Sequence, residues 1–244
     1  MATVDVIEGS AVIPVRRAVK ADREAISHNL NGQKLGRKGQ QTRERILAAA
    51  IALIDESGDA PISLSAVARR ASLGMTSLYV YFADLTELLL AVLEPVMQQG
   101  GEDQGFFRLL ADYWEDDRLE QECRTFIEAY FAFWTKHSRI LHLRNSMADQ
   151  YDERMMSARV RSAQPMIAMF RKQLALPGDP LSNAAGDMAS ILMTGIERAV
   201  TVATDPVTPR FIEREFGARN TNVVDPLNRL LVLAIRDSRN AARG

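Results

Sequence analysis

The stretch from Ser63 to Phe82, SLSAVARRASLGMTSLYVYF, restricts the fold more than any other part of the chain. Val67 and Ala68 sit among small residues in its first part, which Ala71 closes. Ser72, Leu73 and Gly74 then make a tight break, and Leu73 is the large apolar residue available there to turn inward. Met75 to Tyr81 follows as a second helix of about two turns. Two short helices joined by such a break form a helix-turn-helix, whose second helix lies in the DNA major groove.

The flanks extend this pattern. A first helix is expected from about Gln40 to Glu56, because Ile46, Ala49, Ala50, Leu53 and Ile54 recur on one face and Gly58 ends it. Ser63 is placed to cap the next helix. Arg43 and Arg45 lie near the start of the first helix, where positive charge opposes the helix dipole. They call for another reason to be there, either a DNA phosphate or plain solvation. After the motif, Asp84-Leu85-Thr86-Glu87 reads as a capping box, and Leu88, Leu89, Val92, Leu93 and Val96 carry a fourth helix that Pro95 kinks or ends. Residues 1–36 show no persistent period. Val15 to Asn29 has too few apolar positions for a buried face, and Lys34, Arg37 and Lys38 lie among Gly32, Gly36 and Gly39. This segment is either a disordered leader or a basic arm that adds phosphate or minor-groove contacts.

With TRERILAAAIALIDESG before it and DLTELLLAVL after it, the motif resembles the DNA-binding domain of TetR-family transcriptional regulators. The resemblance is close in this block and extends to the rest of the chain only by helical layout. It implies an all-α fold: a flexible basic N-terminal extension over 1–36, a three-helix helix-turn-helix domain over 37–83, and a larger helical ligand-binding and dimerisation domain over 84–244. It further implies that the hydroxyls of Ser63 and Tyr79 touch DNA phosphate, with Tyr81 or Phe82 packed beneath. The residues themselves add Lys38, Arg43 and Arg45 as phosphate contacts. Met75, Thr76 and Ser77 are the candidates for base edges, Met75 suiting a thymine methyl. Three positions depart from the family pattern. Ser72 stands where a glycine is usual in the turn, Gly74 where a Ser or Thr caps the recognition helix, and Leu85 where a Lys contacts phosphate. The recognition helix also lacks Arg, Lys, Asn and Gln, the strong bidentate readers of bases.

Downstream the chain reads as helices. Phe126, Ile127, Tyr130, Phe131 and Trp134 make an aromatic stripe too wide for a surface helix, and further helices are expected over Ser138–Gln150 and Tyr151–Leu174. Pro165 bends the latter among Met166, Met169 and Phe170, and methionines adapt to irregular contents. Such packing is either a solid core or an apolar cavity. The resemblance favours a cavity, lined by Trp114, Phe126, Tyr130, Trp134, Arg144, Asn145, Met166, Phe170 and Met188. A helix from Pro180 to Thr204 alternates small and apolar residues, and one from Pro226 to Asn240 is apolar on more than one face, so both need further partners. In the family the last two long helices pair with their copies, which implies a homodimer presenting two heads to a pseudo-palindromic double-stranded DNA operator.

Composition sets the outer bounds. A net charge of −1 excludes a chain that binds nucleic acid along its whole surface, yet Gln33 to Ala83 carries seven Lys/Arg against four Asp/Glu. One cysteine, Cys123, excludes an intrachain disulfide, and nothing approaches the roughly 20 apolar residues of a membrane span. The chain is expected to be cytoplasmic. His137 and His142 do not share a helical face, and neither a phosphate loop nor a nucleophile elbow is present. No catalysis, metal or cofactor is expected. The sequence thus reads as a ligand-responsive DNA-binding regulator, a repressor released by a small apolar or amphipathic effector. The alternative is a helical small-molecule-binding or interaction protein with a degenerate reading head.

Overall fold

The computed structural model describes residues 30, 32–56, 62–99, 112–180, 182–205, 207–217 and 222–243. The leader 1–29 and the stop at Gly58 lie outside them. Among the described residues the fold is all-α. The helices are α1 Arg37–Glu56, α2 Leu64–Arg70, α3 Met75–Tyr79, α4 Leu85–Gln99, α5 Leu119–Asp149, α6 Glu153–Leu174, α7 Asn183–Thr204, α8 Thr208–Phe216 and α9 Val224–Arg243.

The head forms because each break in the helical pattern is chemically closed. Ser63 Oγ accepts from the Ala66 amide at 3.3 Å and starts α2. At the other end the Leu73 amide donates to the Ala68 carbonyl at 2.9 Å, and the Ser72 amide to the Arg69 carbonyl at 3.1 Å. This is a Schellman closure, and it holds Ser72 at φ 52°, the left-handed region that favours glycine. The side chain in place of the usual glycine is therefore accommodated at a conformational cost. Val67, Ala68, Ala71, Leu78 and Phe82 are buried against Ile46, Ala50 and Ile54 of α1.

One apolar core runs from this head into the rest of the chain, and α4 is the element they share, packing on α1, α5 and α6. The expected capping box is present. The Glu87 amide donates to Asp84 Oδ1 at 2.8 Å, and Glu87 Oε2 accepts from the Ala83 amide at 2.7 Å, one residue earlier than the usual return bond. Pro95 does not end α4, which continues to Gln99.

The two helices expected on either side of residue 137 run on within α5 as two segments meeting at a kink, where His137 has non-helical dihedrals (φ −114°, ψ 19°). Helix α5 ends in a second Schellman closure, with Tyr151 at φ 65°. Asp152 then caps α6, its Oδ1 accepting from the Met155 amide at 3.0 Å. Around this scaffold α5 packs on α6, α7 and α9, while α8 rests on α7. No described helix is long and apolar enough to cross a membrane. Ser72→Gly should stabilise the fold, since relieving a left-handed non-glycine residue outweighs the added chain entropy by about 0.5–1 kcal/mol. The thermal midpoint should rise by about 1–3 °C.

Candidate functional site

The exposed side of the head is assembled from three segments. On α3, Leu78 is fully buried, which turns Thr76, Ser77 and Tyr79 outward; Tyr79 is 48% exposed. Met75 is only partly exposed and packs on the core, as does Tyr81. Ser63 accepts from its own helix and also shares a hydrogen bond with Ser65 Oγ at 3.1 Å. On α1, Lys38 and Arg45 are exposed and stand seven residues apart, about two turns on the same face.

Arg43, expected as a phosphate contact, is only partly exposed and packs within the head. Its guanidinium lies 5.3 Å from the Phe82 ring centroid. Burial lowers its pKa against the opposing carboxylates of Glu94 and Glu87. The cation thus helps hold α1, the end of the motif and α4 together. Arg70 is likewise paired, donating to Glu56 Oε2 at 2.8 Å on the surface.

The basic stretch before α1 is tied to the head. The Leu30 amide donates to the Val80 carbonyl at 3.1 Å, just past the recognition helix. Leu35 is buried. Its side chain occupies the space above Gly39, where a Cβ would come within 2.9 Å of Leu35 Cδ2. Lys34 and Arg37 remain exposed beside this anchor. Leu35, an isolated apolar residue four before a helical glycine, was the available sequence signal for it.

The expected effector residues divide into several groups. Trp114, Phe126, Tyr130 and Phe170 pack on one another, with ring centroids 5.3–6.1 Å apart, and Trp134 continues the stack at 6.4 Å from Tyr130. Trp114, Phe126 and Phe170 are therefore core, and do not line an open space. Met188 faces solvent on α7. A small cavity of about 10 Å³ remains beside Tyr130, Trp134, Arg144 and Met166, room for about one water. Next to it, α5, α6, α7 and the start of α8 enclose an open cleft of about 830 Å³ that includes Asn145. Its walls are mixed: His142, Asp149, Arg159, Glu197 and Asp205 contribute polar groups, and Val160, Ala163 and Val202 apolar ones. Desolvation lowers the His142 pKa, with Asp205 opposing at 3.9 Å. Cys123 is buried, and burial pushes its thiol up to about 12, so it is inert at neutral pH.

The head now has a geometry to compare. Residues 46–92 match the family model of bacterial regulatory proteins, tetR family. The head is that of a tetR-family regulator. The match covers α2, α3 and parts of α1 and α4, and it makes the chain a helix-turn-helix DNA-binding transcription regulator. No curated protein sequence matches the chain. Among solved structures, a transcriptional regulator (TerR/AcrR family) from Aquifex aeolicus VF5 is 14% identical, aligning over 80% of this chain and 98% of its own, with a TM-score of 0.44. A TetR family transcription regulator from Marinobacter aquaeolei VT8 is 16% identical over 82% and 96%, with a TM-score of 0.45.

Tyr79→Phe should weaken DNA binding by about 5- to 10-fold, the worth of one phosphate hydrogen bond, without changing the circular dichroism spectrum. Arg45→Ala should lower the slope of log affinity against log salt by about 1, and Arg43→Ala should leave that slope unchanged while reducing thermal stability. Anisotropy titrations over a salt series and a melting curve check the set.

Proposed function

We propose that the chain acts as a homodimeric repressor whose two heads read a pseudo-palindromic operator and are released when a small effector binds the larger helical part. The observation that carries the dimer is an unpartnered apolar stripe on each of two adjacent helices. On α7 it comprises Ala184, Met188, Ile191 and Gly195; on α9 it comprises Leu230 and Leu233. Ile191 is 67% exposed and Leu233 55%. A second copy covering both stripes would bury them in a four-helix contact and fix the spacing of the heads. Lys38, Arg45, Ser63 and Tyr79 then hold phosphate, and Thr76, Ser77 and the edge of Met75 face bases.

Effector occupancy would reach the head through the turn between α5 and α6. Asp149 and Arg159 pair at 2.6 Å beside the cleft. Just beyond, Asp152 Oδ2 accepts from Thr86 Oγ1 at 2.6 Å, and Arg154 donates to Asp84 Oδ2 at 2.8 Å. Prying the cleft open displaces the two residues that fix the start of α4, and with it the angle of the head. The effector need only bind the displaced arrangement better.

Sedimentation of the wild-type chain and of the double variant Ile191→Glu/Leu233→Glu tests the assembly, and selection from randomised DNA tests the reading. The wild type is expected to be a dimer that enriches an inverted repeat; the variant is expected to be a folded monomer that enriches none. A monomeric wild type, or an inverted repeat recovered equally by the variant, refutes the proposal.

A further inference from the structure

Two guanidiniums are buried among the described residues of the larger helical part: Arg239, paired with Asp116, and Arg144, only 3% exposed in the middle of a helical core. Each nitrogen of Arg144 has a partner. Nε donates to Asn145 Oδ1 at 3.0 Å, Nη1 to Ser162 Oγ at 2.9 Å, and Nη2 to Glu197 Oε1 at 3.0 Å. The Trp134 ring lies 5.7 Å from the guanidinium carbon. Asn145 and Ser162 are neutral, so Glu197 is the anion in direct contact. The two charges are not equally trapped. Glu197 is 18% exposed and borders both the small internal cavity and the open cleft. It can swing into water, whereas Arg144 cannot. One turn further along α7, the Thr201 hydroxyl is buried at the cleft wall without a hydrogen-bond partner.

These facts constrain what can occupy the site. A neutral apolar molecule finds no room inside while Glu197 stays in place, and if Glu197 leaves it strands a buried cation. A ligand that brings its own carboxylate avoids this, because it can take the place of Glu197 Oε1 on Nη2 and keep the buried cation paired. Its body would then lie in the open cleft that Glu197 borders, beside Val160, Ala163 and Val202.

We propose that the effector is a small aromatic monocarboxylate, and that Glu197 is an internal stand-in for its anionic group on Arg144. This rests on the reading of the cleft as the effector site, and it narrows the expected apolar or amphipathic effector to an anionic amphipathic one. The Glu197 clamp makes the binding-competent arrangement a minor one, which lowers the apparent affinity by the fraction that is open. Removing the clamp's charge should therefore tighten binding, an effect that a merely structural ion pair would not give.

Isothermal titration calorimetry of the full chain with benzoate, phenylacetate and 2-naphthoate, and with the neutral 2-naphthamide, tests this. At least one acid should bind the wild type. The naphthoate is expected to bind at least ~10-fold more tightly than its amide, the worth of a charge-assisted contact. Glu197→Gln is expected to bind the same acid ~5-fold more tightly or better, with its melting curve showing a folded protein, and Arg144→Met should not bind it. Equal binding of acid and amide, unchanged affinity in Glu197→Gln, or no binding of any of the three acids to either wild type or Glu197→Gln overturns the proposal. Anisotropy on the selected operator separates the two levels. If the acid binds as expected but never alters operator affinity, the anionic site stands and the effector-release reading fails.

Discussion

The structure turns on the joint at which the start of α4 is fastened to the start of α6. Asp152 does two things there, capping α6 through one carboxylate oxygen and accepting the Thr86 hydroxyl through the other. Asp84 repeats this on the opposite side, capping α4 and accepting Arg154. Burial alone would raise the pKa of each carboxyl. The amide and side-chain donors outweigh it and hold both below the ordinary carboxylate value. Two helix termini, whose amides need acceptors in any case, thus share their caps with each other's side chains. That gives the head a defined orientation. An exposed pair such as Arg154–Asp84 contributes little to stability, so its value is geometric.

A Schellman turn with a non-glycine residue in the left-handed region appears twice, at Ser72 inside the reading motif and at Tyr151 beside the joint. Both points mark where chain direction is set most sharply. Local strain of this kind is retained only where surrounding contacts over-determine it, and here those contacts are the buried face of the head and the Asp152 cap.

The helix-turn-helix was legible because its information is local: a hydroxyl cap, a run of small residues, Leu73 turned inward at the break and a capping box at Asp84–Glu87. Helix positions were legible for the same reason, except for α8. Its signals were present in Pro209 near its start, in Gly217, left-handed just past its end, and in its amphipathic period, but it is short and buries none of its residues. Side-chain direction was not legible. Arg43 looked like a phosphate contact because its charge opposes the helix dipole, yet its partner Phe82 comes from another part of the motif. The aromatic stripe faces inward, as its width predicts, but periodicity cannot separate a packed ring from one that lines a cavity. Trp114, Phe126 and Phe170 are packed, and the open space lies one layer out, between walls of mixed polarity. Long-range pairs such as Thr86–Asp152 and Arg144–Glu197 left no trace in spacing.

The account stands on the head recognising a particular DNA sequence despite a recognition helix with no strong base readers. The measurement that tests this most directly is fluorescence anisotropy of the purified chain on fragments flanking its own gene and on random DNA, over a salt series. The expected result is nanomolar binding to at least one fragment, tighter than to random DNA by ~10³ or more and weakening with salt. Equal and weak binding to every fragment, with random DNA no different, would contradict it.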